Sequence, residues 1–126
     1  MTRSTPLSPH LQVYKWQLPM VLSITHRATG VFLAAASLLL CLWTLSVAAG
    51  PDAYAALLTH MGAWYGKLLL AGICFSTYYH LGNGVRHLFW DVGSGFDLPR
   101  VYFSGYLVIL FSVLMTIGTF FLGCRG

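Results

Sequence analysis

The residues that could carry chemistry in this sequence lie in two short clusters. One cluster comprises Tyr79, His80, Arg86, His87 and Asp91. His80 lies inside an apolar run, and Arg86, the first charged residue after it, is roughly 9 Å further along a helix. An imidazole in such a run is either a ligand of haem iron, since imidazole is a usual axial ligand, or a side chain hydrogen-bonded to a neighbouring helix.

The residues that follow His80 are compatible with a flat ligand. Gly84, one turn on, leaves an open helical face that a macrocycle could approach. His87 lies two turns from His80 on roughly the same side of the helix. Arg86 and His87 could therefore contact the propionates of a haem or the phosphate groups of lipids, and the sequence leaves both alternatives open.

The other cluster is Ser23, His26 and Arg27. Spacings of three and four residues place these side chains on adjoining parts of one helical face. They form either a polar pocket that faces a neighbouring element or an interfacial anchor whose Arg27 extends to lipid headgroups. His26 lies at a depth comparable to that of His80, so it is a second candidate ligand for a haem iron.

Three long stretches without charged residues must position these clusters. They lie at 28–51, 68–85 and 101–124. A helix needs about 20 apolar residues to cross a bilayer core, and these stretches lack the alternation of a membrane barrel. We therefore predict an all-α membrane protein with three transmembrane helices, near 21–49, 60–91 and 101–123. The turn signals between them are Gly50-Pro51-Asp52, Gly93-Ser94-Gly95, and Asp97 with Pro99 at the start of the third helix.

The composition excludes several classes of function. Of the 126 residues, 57% are hydrophobic and 8% are charged, whereas soluble domains are roughly 25% charged. The chain has no Glu, which argues against paired-carboxylate catalysis and carboxylate-rich metal cages. The net charge of +4 is spread along the chain without a basic stripe, so we expect no nucleic-acid partner. The three cysteines have no close spacing and indicate neither a disulfide framework nor a zinc site.

The distribution of Lys and Arg predicts the orientation. Arg3, Lys15 and Arg27 lie at the N-terminal end, and Arg86 and Arg100 flank the loop between the second and third predicted helices. Both regions are therefore expected to face the cytoplasm or its organellar equivalent. The two clusters then fall in one leaflet and can share one polar site. We expect a single transmembrane anchor domain over 1–126 with a cytoplasmic segment at 1–20. Pro6 and Pro9 interrupt any signal-peptide core, and the start is not Arg-rich as a transit peptide would be.

Three segments resemble a known family. They are PLSPHLQVY at 6–14, SITHRATG at 23–30 and HLGNGVRHLFWD at 80–91. Together they are similar to the cytochrome b subunits of succinate dehydrogenase, the larger membrane anchors of respiratory complex II. The resemblance covers essentially the whole chain.

The resemblance implies roles for individual residues. His80 matches the axial ligand of haem b, with the second axial histidine supplied by a smaller anchor subunit, so the chain would form half of a heterodimeric haem-binding bundle. Ser23 and Arg27 match residues that line the ubiquinone site. His26 and Arg27 match positions near the haem propionates, and Arg86 and His87 are further candidates for propionate contacts. Ser23 and Arg27 could donate hydrogen bonds to the quinone carbonyl oxygens as negative charge develops there.

The resemblance also implies the setting. An iron–sulfur subunit and a flavoprotein subunit would oxidise succinate to fumarate in the tricarboxylic acid cycle and pass electrons to ubiquinone. This chain would contain no flavin or dicarboxylate site of its own. The expected location is a bacterial inner membrane, or the mitochondrial inner membrane in a eukaryote.

Three other interpretations remain open from the sequence. The chain could be an anchor of the related fumarate reductase, in which the reaction runs in reverse. It could be a subunit of a small proton-coupled transporter, for which Asp91 is the only candidate coupling carboxylate. It could also be an inert membrane tether whose polar residues serve only as anchors.

Overall fold

The computed structural model describes residues 14–123, which fold entirely into helices and connecting turns. The helices are α1 (Leu18–Ala49), α2 (Pro51–Gly62), α3 (Trp64–Asp91) and α4 (Leu98–Gly123). The predicted all-α fold is confirmed. The segment at 6–14, which carries part of the family resemblance, lies outside the described residues except for Tyr14, as does most of the predicted cytoplasmic segment 1–20.

Two of the helices are long and apolar enough to cross a membrane, namely α1 and α4. They contain the first and third predicted spans and begin three residues earlier than predicted. The start of the second predicted span, at residue 60, is wrong. Residues 51–62 form the separate helix α2, and α3 begins only at Trp64.

Local backbone chemistry explains why α2 is separate. Gly50 ends α1 with φ of 111°, a region that favours glycine, and Pro51 then occupies the first turn of α2, where its missing N–H costs nothing. Ala63 is extended and ends α2. Across this corner the His60 imidazole and the Tyr65 hydroxyl are hydrogen-bonded at 2.7 Å.

The corner between α2 and α3 depends on a second glycine. A Cβ atom placed on Gly66 would overlap the His60 carbonyl oxygen and would lie 2.7 Å from Met61 Cα. Only a residue without a side chain allows the first turn of α3 to pack so closely on the end of α2.

The predicted turn between α3 and α4 is confirmed. Gly93 and Gly95 have φ of 78° and 85°, and the Trp90 indole N–H donates to the Gly95 carbonyl at 3.3 Å. Asp97 directly precedes α4 and forms an exposed ion pair with Arg100 at 3.3 Å.

The buried core is small and lies where α1, α3 and α4 meet. Leu22, Tyr79 and Val108 form its centre, and Ser112 is fully buried beside it. Small residues allow the close approach: a Cβ on Gly82 would touch Val108, and one on Gly105 would lie 2.6 Å from Leu22 Cδ1. Most large apolar side chains point outward, which is the arrangement of a chain whose surroundings are apolar.

Candidate functional site

The two sequence clusters meet in a stack of three histidines. The His26 ring on α1 stacks on the His80 ring of α3, with centroids 4.1 Å apart and planes 30° apart. The same His26 ring lies 5.0 Å from the His87 ring, at 19°. His80 and His87 share a face of α3 because they are seven residues apart, so one side chain of α1 can contact both.

Two acceptors on α1 fix the orientation of His80. Its Nδ1 lies 3.2 Å from the His26 carbonyl oxygen and 3.3 Å from Thr29 Oγ1. A backbone carbonyl can only accept, so Nδ1 carries the hydrogen and donates it. In the neutral ring Nε2 then holds a lone pair, and it makes no hydrogen bond to any residue between 14 and 123. This is the state of a histidine prepared to bind a metal through Nε2.

The His80 ring rests against a glycine of α1. A Cβ atom on Gly30 would lie 3.1 Å from His80 Cε1 and 3.7 Å from Nδ1. The first separation is tighter than an ordinary carbon–carbon contact of about 3.5–4.0 Å. Gly30 therefore leaves the space that the imidazole occupies.

Two buried polar atoms beside the stack lack a partner within the described part of the chain. They are His26 Nε2 and Asn83 Oδ1. Asn83 is fully buried, and its side-chain Nδ2 donates to the Tyr79 carbonyl at 3.4 Å. The backbone carbonyl of Asn83 accepts from His87 Nδ1 at 2.7 Å. A buried polar atom without a partner costs about 1–3 kcal/mol, so we expect both atoms to have partners outside residues 14–123.

Arg86 lies on a different face of α3. It follows His80 by six residues, which rotates it about 120° away from the histidine stack. Its Nε donates to Ser104 Oγ at 3.0 Å and its Nη2 to the Val101 carbonyl at 2.8 Å, while its guanidinium lies 4.2 Å above the Trp90 ring. Arg86 thus joins α3 to α4 and lines a cavity of about 340 Å³ between these helices.

Ser23 and Arg27 take no part in the ring contacts and hydrogen bonds of the histidine stack. Ser23 is half-buried and Arg27 is exposed. Neither side chain forms a hydrogen bond or an ion pair with another residue of the 14–123 region. Their polar groups are therefore available to something outside the chain. Asp91, the last residue of α3, is likewise exposed.

A comparison with known families identifies the chain. Residues 1–119 match the family described as succinate dehydrogenase/fumarate reductase transmembrane subunits. The chain belongs to this family.

Individual relatives agree with the family match. A mitochondrial succinate dehydrogenase cytochrome b560 subunit from Sus scrofa is 38% identical over 115 residues, covering 90% of this chain and 68% of the relative. Succinate dehydrogenase cytochrome b556 subunits from Rickettsia felis and Paracoccus denitrificans are 40% and 37% identical over 111 and 114 residues. These matches cover 88% and 90% of this chain and 86% and 88% of the two relatives. The resemblance inferred from the motifs is confirmed.

The sequence predicted the three histidines of the stack but not the residues that position them or Arg86. Thr29, Gly30 and Asn83 position or surround the rings, and Ser104 holds Arg86. A signal was present for three of them. Thr29 and Gly30 follow His26 by three and four residues and so share its helical face, and Asn83 lies three residues after His80 and four before His87. Ser104 gave none, because its contact with Arg86 depends on how α3 and α4 are rotated against each other.

Proposed function

We propose that this chain is the cytochrome b membrane anchor of a succinate:ubiquinone oxidoreductase, complex II, and that it binds haem b through His80. The observation that carries the proposal is the hydrogen bond from His80 Nδ1 to the backbone of α1, which leaves Nε2 as a free ligand atom. The cytochrome b names of the relatives support it.

The other residues of the stack fit the edge of a haem. His26 Nε2 is a buried donor or acceptor without a partner in residues 14–123, and a propionate oxygen would satisfy it. We propose His26, Arg27 and His87 as propionate contacts. The motif extends this role to Arg86, although its hydrogen bonds to α4 favour a structural role. The haem would supply a one-electron carrier, and a smaller anchor subunit would supply its second histidine.

Ser23 and Arg27 would contribute donors to the ubiquinone site. Both side chains are unengaged within the described chain, and they lie on the same turn as His26. Their hydroxyl and guanidinium would donate to the carbonyl oxygens of the quinone where negative charge develops. The positive charge of the Arg27 guanidinium would stabilise that negative charge.

The membrane arrangement follows from the helices. We infer that α1, α3 and α4 cross the membrane and place the histidine stack in the leaflet nearer the cytoplasm, with α2 at the opposite surface. The exposed Trp64 and Tyr65 at the start of α3 fit an interfacial position there. The chain would be one anchor domain over 1–126 with a cytoplasmic N-terminus, in a bacterial inner membrane or its mitochondrial counterpart. Iron–sulfur and flavoprotein subunits would carry out the dehydrogenase chemistry.

The haem assignment is tested with His80→Leu in the assembled complex. We expect the reduced-minus-oxidised b-type spectrum to be lost or strongly altered. His60→Leu is the matched control, because the His60 ring is hydrogen-bonded to Tyr65 at the corner between α2 and α3, away from the histidine stack, and its replacement should leave the spectrum unchanged. An unchanged spectrum in His80→Leu would refute His80 as the ligand.

The quinone assignment is tested with the double variant Ser23→Ala, Arg27→Ala. Succinate-driven quinone reduction should fall, while succinate oxidation by an artificial dye should persist. The control is Ser37→Ala with Arg100→Ala, which removes an exposed hydroxyl of α1 and an exposed surface arginine. Full quinone turnover in the first variant would contradict the assignment.

A further inference from the structure

We propose that one turn of α1 tunes the haem ligand, with Thr29 setting the hydrogen bonding of His80 and Gly30 setting the angle of its ring. Both are positioning residues, because they act through His80. The proposal rests on the proposed function, in which His80 Nε2 binds the haem iron.

Thr29 is held in place to act as the second acceptor. Its hydroxyl donates to the His26 carbonyl at 2.8 Å, which commits the hydroxyl hydrogen to α1 and leaves the oxygen lone pairs for His80 Nδ1 at 3.3 Å. The His80 N–H is therefore shared between Thr29 Oγ1 and the His26 carbonyl. Acceptors at Nδ1 make an imidazole a more basic ligand, which favours the oxidised metal.

Gly30 determines how the His80 ring is placed against α1. His80 Cε1 is bonded to both ring nitrogens, so a group that presses on it moves the donor Nδ1 and the ligand atom Nε2 together. A methyl group at position 30 would begin 3.1 Å from Cε1. The ring would have to tilt or retreat by a few tenths of an ångström to restore an ordinary contact. The two hydrogen bonds at Nδ1 are already long, so a small retreat weakens both.

The steric requirement for glycine at position 30 comes from the proposed haem ligand, His80. Gly84 on α3 and Gly118 on α4 have no atom of the described chain within 4 Å of a Cβ placed on them, so not every helical glycine lies against a neighbouring helix. Gly30 is limited by the His80 ring alone. Likewise, the Thr44 hydroxyl on α1 donates to the carbonyl three residues back, as that of Thr29 does, but has no second hydrogen-bond partner among residues 14–123.

The experiment uses the assembled complex with Thr29→Val, Thr29→Ser or Gly30→Ala. The controls are Thr44→Val and Gly118→Ala, and the readouts are the haem midpoint potential and the g values of the oxidised low-spin haem. Thr29→Val should raise the potential, because it removes one acceptor from the ligand, and Thr29→Ser should restore it. Gly30→Ala should shift the largest g value, which depends on the angle between the two axial imidazole planes. Both controls should match the wild type.

The outcomes separate this inference from the function on which it rests. A wild-type b-type spectrum that is lost in His80→Leu, combined with unshifted potential and g values in Thr29→Val and Gly30→Ala, would overturn the inference alone. A wild-type complex without such a spectrum would overturn both. If Gly30→Ala fails to assemble, the pair Thr29→Val and Thr29→Ser still decides, because equal potentials in the two would refute the tuning.

Discussion

Replacing Arg86 with methionine distinguishes a structural role for this residue from a role at the haem. Arg86 is 5% exposed, and no carboxylate within 14–123 forms an ion pair with it. Its guanidinium instead donates to Ser104 and to the Val101 carbonyl and lies over Trp90. Methionine fills much of the same volume but supplies neither hydrogen bond.

The size of the effect follows from these contacts. Side-chain hydrogen bonds inside membrane proteins average about 0.6 kcal/mol and reach about 1.7, so two of them contribute roughly 1–3 kcal/mol. The arginine–tryptophan contact adds about 0.5–2 kcal/mol. Burial of an unpaired charge opposes both, and the hydroxyl of Ser104 keeps the Val101 carbonyl as a partner at 3.2 Å in the variant. We expect a net loss of about 2 kcal/mol in the stability of the α3–α4 packing.

The assay is the thermal midpoint at which the purified complex loses its haem spectrum, measured for Arg86→Met and for Arg100→Met. Arg100 lines the same cavity but is exposed and paired with Asp97, a kind of contact that contributes about 0–1 kcal/mol. Arg86→Met should lower the midpoint by several degrees more than Arg100→Met and leave the haem potential unchanged. Equal midpoints together with a shifted potential would refute the structural role and support the propionate contact.

Two glycine substitutions test the helix packing by the same thermal assay. Gly105→Ala places a methyl group 2.6 Å from Leu22 Cδ1 in the core and should destabilise the complex by about 1–2 kcal/mol, because overpacking exceeds the gain in helix propensity. Gly118→Ala, in open space, should be neutral or slightly stabilising. Equal thermal midpoints for the two variants would contradict this difference. Gly66→Ala should cost more than Gly105→Ala, since its Cβ meets the Met61 backbone rather than the end of a flexible side chain, and a milder effect would show that the α2–α3 corner can open.

The long helices were predictable from the sequence because uncharged stretches of this length have few alternatives. The separate helix α2 was not, since Gly50 and Pro51 were interpreted only as a turn. The same dipeptide both ends one helix and starts the next. The half-buried residues Tyr54, Leu57 and Met61 carry a helical period that could have shown this.

The candidate site was predictable only to the extent that helical spacing and topology determine it. The meeting of His26 with His80 and His87 follows from the start of α1 and the end of α3 lying at one end of the helix bundle. The position of Arg86, about 120° from His80, also follows from its spacing, although the motif suggested a shared role. The contact of Gly30 with His80 could not be foreseen, because it depends on how closely α1 approaches α3.

One of the two acceptors that hold the His80 ring is the peptide carbonyl at position 26, not the side chain found there. Every amino acid carries that oxygen, so replacing the imidazole at position 26 leaves this acceptor of His80 Nδ1 in place. This hydrogen bond requires the alignment of α1 against α3, which many weak contacts between the two helices determine rather than one residue. The propionate contact proposed for His26 and the iron ligation proposed for His80 can therefore be altered separately.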